Sequence, residues 1–278
     1  MKLKRTLGSL ALAVALGGSA VASHATTIMV DDGVSQGTFS PFGGFDWSSL
    51  GTAVATGFNL TATGQSTSIN LTYWADAARL TTPTQSTLTG PTLDILNGDI
   101  EYTILGNLTE TATCTADNGA GLCTSASFIL TSGNWSIWYD ITPDAIQLAG
   151  TGFTDGVLIL SGIFNPGFAG TFNATLTGGI GSNTVSGSVL FTNNTYINPS
   201  LLGTNAATTL QFGTDRTDGG GLITGSPNGP VACNRAGGTI CLQADANQTF
   251  SVPEPSSLAL FGLGLLGLAG IGRRRQKA

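Results

Sequence analysis

Ionisable and nucleophilic side chains are few in this chain, and their types narrow the chemistry open to it. The only histidine is His24, near the N-terminus. Without imidazole further on, a Ser-His-Asp or Cys-His relay lacks its general base, and most zinc sites lack a ligand set. Carboxylates remain. They gather at Asp31-Asp32-Gly33, at Asp94 with Asp99 and Glu101, and at Asp215 with Asp218. Two carboxylates about 5–10 Å apart in a cleft would suit glycoside hydrolysis. The same groups could hold calcium, which takes loop carboxylates, although none has EF-hand spacing. Their Gly and Asn neighbours equally suit turns and caps. The expectation is therefore a protein that is not an enzyme, with no catalytic residue, metal ligand or cofactor assigned and calcium left open.

Aromatic and sulfur side chains offer two further functions. In Trp135-Ser136-Ile137-Trp138-Tyr139 a strand would put Trp135, Ile137 and Tyr139 on one side and Trp138 on the other. One set is expected in the core; the other would be a platform for stacking a sugar ring. The four cysteines are Cys114, Cys123, Cys233 and Cys241. Four cysteines allow three pairings. The simplest is two local bridges, Cys114–Cys123 and Cys233–Cys241, each worth about 2–3 kcal/mol through the unfolded chain. A four-thiolate metal site would want closer spacing within each pair.

Charge is scarce and unevenly placed. Charged residues are 9% of the 278, and the net charge is −6. Between Thr26 and Val252 there are fifteen acids, three arginines and no lysine, a net −12. Such a body repels phosphate backbones, which sets nucleic-acid binding aside.

The two ends read as addresses. Lys2, Lys4 and Arg5 precede an apolar run from Leu7 to Leu16 and then small residues. This is the pattern of a secretory signal peptide, with cleavage expected after Ala25. The C-terminus runs Pro253-Glu254-Pro255-Ser256-Ser257, then Leu258 to Gly272 without charge, then Arg273-Arg274-Arg275-Gln276-Lys277-Ala278. Ser256 to Gly272 would make a helix about 25 Å long, the short end of a membrane span. The arginines would stay cytoplasmic and the body outside the inner membrane. Gly262-Leu263-Gly264-Leu265-Leu266-Gly267 satisfies a nucleotide-binding glycine pattern but follows no strand, so it receives no such role.

These C-terminal residues resemble the PEP-CTERM sorting signal of Gram-negative bacteria. The resemblance implies recognition of Pro253, Glu254, Pro255 and the Arg273, Arg274, Arg275 cluster by an exosortase, a membrane-embedded transpeptidase. It further implies a transient single-pass intermediate and release to the cell surface or the exopolysaccharide matrix. Within the body, Phe42–Trp47, Leu148–Gly156 and Gln243–Phe250 resemble flocculation-associated PEP-CTERM proteins. That similarity implies a role in holding cells in a polysaccharide floc or biofilm and supplies no catalytic residues.

The elements between the addresses must be strands. Short Thr-, Val-, Ile- and aromatic-rich runs alternate with Gly, Asn, Asp and Pro. Strands are expected at 53–61, 68–74, 99–105, 127–130, 135–141, 157–163, 171–177, 185–192 and 208–212, with a first at 27–30 and a last near 248–252. One helical turn is expected at Ala75–Leu80. The fold class is all-β, an antiparallel β-sandwich or jelly roll over residues 26–252, between a signal peptide at 1–25 and the sorting signal at 253–278. Its wet faces carry Thr, Ser and Asn, which suits a polysaccharide gel. So little charge also leaves edge strands poorly defended, so self-association is expected to be open to it. Three functions follow: a structural or adhesive matrix protein, a carbohydrate-binding module, and a carboxylate-based glycoside hydrolase.

Overall fold

The computed structural model describes residues 26–31, 36–85, 100–175, 178–215, 223, 225–229, 231, 233 and 237–251. The chain divides into a body, Thr26–Val252, and a second unit formed by the two termini. The expected signal peptide and hydrophobic C-terminal helix lie outside the described residues. No helix among the described residues is long and apolar enough to cross a membrane.

The body is all-β and antiparallel. It opens with β1 (Thr27–Asp31), β2 (Gln36–Phe39), β3 (Gly44–Trp47) and β4 (Gly51–Thr56). Three long strands follow: β5 (Ser66–Thr81), β6 (Glu101–Asp117) and β7 (Cys123–Asp140). Then come β8 (Val157–Phe164), β9 (Gly167–Thr175), β10 (Gly178–Thr192), β11 (Ile197–Asn198), β12 (Asn205–Asp215) and β13 (Thr239–Phe250). β1 pairs with β2 and β11 in a small sheet.

The remaining strands close on themselves. β3 and β4 both lie between β13 and β5, so they are two halves of one strand broken at Ser48–Leu50. β8 and β9 both lie between β7 and β10, halves of a strand broken at Asn165-Pro166. Counted this way, eight strand positions pair in chain order from β3/β4 to β13, and β13 returns to β3/β4. The expected antiparallel pairing holds, and opposed walls share one core as in a sandwich. The jelly-roll order does not hold. Each strand folds back on its predecessor, as short antiparallel connections favour, so no crossover forms. Closure also pairs both sides of every barrel strand, which removes the edges on which self-association was expected. Among the described strands, open edges remain only at β2 and β11 of the small sheet.

Alternation explains which side chains fill the barrel. On β5, Ile69, Leu71, Tyr73, Ala75 and Ala77 are buried, with Ser68, Asn70 and Thr72 outside. The expected helical turn at Ala75–Leu80 is thus strand. Pairing with β6 and β3 outweighs the local helix preference of alanine. The runs expected at 127–130 and 135–141 are one strand, β7, which continues through the polar Thr131–Asn134 and ends at Asp140.

The interior differs along its length. Toward one end Phe45 stacks on Trp47 at 4.8 Å, and Phe42, Tyr102, Tyr139, Trp135 and Phe250 continue the ring contacts. Toward the other end Phe58, Phe128, Phe172, Phe212, Ile69, Leu71 and Leu242 surround a cavity of about 30 Å³, with Glu110 and Asn183 in its lining. Outside the barrel a second, small core of Val54, Trp74, Phe153, Ile223 and Cys241 seats the long 141–156 connection on the wall.

Candidate functional site

The described cysteines pair as the local arrangement required. Cys114–Cys123 joins the ends of β6 and β7 with Cα atoms 5.8 Å apart, and Cys233–Cys241 spans 5.7 Å. Both distances lie in the normal disulfide range. The sorting-signal residues Pro253, Glu254, Pro255, Arg273, Arg274 and Arg275 lie outside the described residues. So do Asp32, Asp94, Asp99 and Asp218.

Trp135 is not a sugar platform. It is 1% exposed and points into the barrel, where it packs near Phe250. Gly162 and Gly187 make room for it: a Cβ on Gly162 would lie 2.5 Å from the indole carbon Cζ2. Trp138 faces outward on the same strand and is half-buried; its indole N–H donates to Ser136 Oγ at 3.0 Å. Of the expected pair, only Trp138 keeps access to a ligand.

Of the carboxylates noted in the sequence, Glu101 enters a cleft. This cleft, about 350 Å³, is lined by Ser48, Leu50, Asp76, Ala77, Ile100, Glu101, Pro143, Ala145 and Gln147. Thr103 lies opposite Asp76 in the β5–β6 register, so Glu101 is its diagonal neighbour on the outer face. Both carboxylates hold the 141–156 connection. The backbone N–H groups of Asp144 and Ala145 donate to Glu101 at 3.1 and 3.4 Å, and Gln147 Nε2 donates to Asp76 Oδ1. The indole of Trp74 and the hydroxyl of Thr52 donate to the Gln147 carbonyl. Burial pushes the Glu101 carboxyl up to about 7, against the pull of its two backbone donors. The arrangement is a latch for a surface segment, with both acids already engaged.

Sequence reasoning missed Glu110 and Asn183. Glu110 is 1% exposed and Asn183 2%, and the Asn183 amide donates to Glu110 Oε1 at 2.8 Å. Desolvation raises the Glu110 carboxyl to about 7. Alternation held the signal: Leu108, Glu110 and Ala112 share the buried face of β6. The cavity beside them has room for one or two waters.

Across β5 and β6 the outer wall is a ladder of neutral hydrogen-bonding groups, whereas on β7, β9 and β10 it also exposes Ile129, Phe168, Ile180 and Leu190. Across β5 and β6, Ser66 faces Thr113, Ser68 faces Thr111, Asn70 faces Thr109 and Thr72 faces Asn107. Ser66 and Thr113 hydroxyls meet at 2.8 Å, and Thr109 donates to Asn70 Oδ1 at 3.2 Å. The pattern continues on β9 and β10 with Thr171, Asn173, Ser182 and Thr184, all exposed.

A second cleft lies where β12, β13, β3 and β5 run side by side, at the seam that closes the barrel. It measures about 450 Å³ and carries Thr209, Asn247, Asp46 and Arg79 across one row, and Ala207, Thr249 and Thr81 across the next. Arg79 Nε donates to Asp46 Oδ2 in an ion pair. Asp245 on β13 is raised by burial and then by the Asp46 charge. Sequence reasoning did not assign this cleft.

Residues 251–276 match the model of the PEP-CTERM protein-sorting motif. Comparison with curated proteins and with solved structures gives no match.

Proposed function

Because the chain is a PEP-CTERM protein, whose motif implies export and sorting by an exosortase, we propose that its body is a structural or adhesive component of the extracellular polysaccharide matrix, without catalysis, supporting flocculation or biofilm cohesion. The outer wall carries this reading. The β5–β6 face, which presents Ser, Thr and Asn with few charges, exchanges hydrogen bonds readily with a hydrated polyhydroxyl gel. Closure of the sheet keeps that wall from adding strands of other chains. Two disulfides suit an oxidising location outside the inner membrane. The body needs no metal or organic cofactor for this role.

Mass spectrometry of the protein's termini, from cells fractionated with the matrix kept apart, tests the proposal. Matrix-borne protein is expected to begin near Thr26 and to lack the residues after about Pro255. Intact Arg273–Lys277, with all material in the inner membrane, would contradict it.

A further inference from the structure

We infer that the seam cleft is a binding site for a chain of neutral sugars. The inference deepens the matrix reading and rests on it, by naming where the polysaccharide would dock.

The geometry starts from one glycine. Gly44 stands between Thr249 and Thr81 in the second row of the cleft. A Cβ there would lie 2.0 Å from the Gln248 carbonyl oxygen, so the position tolerates no side chain. Gly44 lets β3 lie close against β13, and the small Ala207 stands two strands away, so the floor across the four strands is low. At about 4.8 Å per strand that floor is about 14 Å wide, room for more than one sugar ring. The volume of about 450 Å³ falls in the range of small-molecule sites.

The chemistry fits hydroxyls. Thr81 is 5% exposed, lines the cleft, and its Oγ1 has no hydrogen-bond partner. A buried hydroxyl in that state costs free energy that a ligand hydroxyl would recover. Asn247 and Thr209 add an amide and a second hydroxyl in the adjacent row. Arg79, half-exposed, and Asp46 cancel one another's charge while leaving a planar donor beside an acceptor, a pairing that suits neighbouring hydroxyls of one ring. Asp245 stands next to Asp46, and the body carries −12, so an acidic glycan is repelled.

The other concave sites serve this role less well. The interior cavity admits only waters, and both acids of the Glu101 cleft hold the 141–156 segment. The seam also joins two segments that stood out in the sequence: Asp46, Phe45 and Gly44 pair with Asn247, Gln248 and Thr249.

Affinity electrophoresis of the exported protein tests the site, in gels carrying hydroxyethyl cellulose or dextran as neutral probes and alginate as acidic probe. Retardation is expected in at least one neutral gel and not in alginate. Asn247→Ala and Thr81→Val should each weaken it about fivefold or more. Ala207→Trp, which fills the floor from an exposed position, should abolish it. Thermal melts confirm that each variant folds. Equal retardation of wild type and Ala207→Trp would overturn the site while leaving the matrix reading intact. So would a matrix-borne wild type that neither neutral gel retards. Retardation in alginate alone would overturn the ligand class. Absence of the protein from the matrix fraction would overturn the matrix reading itself.

Discussion

The two ends of the barrel interior solve the same packing problem differently. At one end Phe42, Phe45, Trp47, Tyr102, Trp135, Tyr139 and Phe250 meet ring to ring, and glycines at 162 and 187 clear space for the Trp135 indole. At the other end Phe58, Phe128, Phe172 and Phe212 stand among aliphatic side chains around a cavity of about 30 Å³, and a carboxyl and an amide occupy positions that alternation reserves for the core. The aromatic end depends on shape. The cavity end buries a carboxyl whose ionisation desolvation opposes, and the Cys114–Cys123 bridge lies on the same strand. Both ends carry a raised carboxyl, Glu110 inside the barrel and Glu101 on the outer face beside Tyr102, so the two ends differ in packing and in where the carboxyl sits.

Truncation should break the comparison most visibly. Trp135→Ala is expected to cost about 4 kcal/mol in denaturant unfolding, because the ring is enclosed by glycines and other rings that cannot collapse onto the void. Phe172→Ala, beside the existing cavity, should cost about 1 kcal/mol less. Equal losses would mean that the two ends pack alike.

Proton linkage comes next in size. The unfolded Glu110 ionises near its ordinary 4.5, whereas the folded carboxyl holds its proton to about 7. Between those values the folded state binds the extra proton, so stability falls as pH rises through the window and levels off above it. At 1.36 kcal/mol per unit the fall approaches about 3 kcal/mol. No other titratable group among the described residues lines the cavity. Glu110→Gln should remove this part of the slope in melts taken from pH 5 to 8. Glu101 acts in the same direction and should leave a residual slope. An unchanged slope would place the linkage elsewhere.

The disulfide should matter somewhat less. Replacing Cys114 and Cys123 together with Ser opens a loop of separation 9 and should cost about 2.5 kcal/mol. Hydrogen exchange should rise first around Leu60 and Glu110, before the aromatic end. Trp138→Ala, on the outside of the strand that carries Trp135, should cost only about 1 kcal/mol, since its ring is half-buried. A strong loss of glycan retention in that variant, with the fold intact, would point to Trp138 as a sugar contact in its own right.

Much of this was legible residue by residue. Lack of histidine in the body, the address-like ends and the local cysteine spacing each constrain function through short-range chemistry. Period-2 alternation located most strands because a strand repeats its environment every two residues. It also contained Glu110, flanked on its face by Leu108 and Ala112. Ala75–Leu80 is strand and not a helical turn because pairing with β3 and β6 outweighs the local preference of alanine.

What the sequence determined alone is therefore the destination and the class: an exported chain with a sorting motif, and an antiparallel β body poor in charge and net acidic. These depend on composition, on periodicity and on residues close together along the chain. Tertiary structure decided the closure of the sheet, the inward turn of Trp135, the pairing of Glu110 with Asn183, and the seam cleft. Each joins residues distant in sequence, Asp46 and Asn247 above all, and strand register, set by the packing of the whole barrel, brings them side by side.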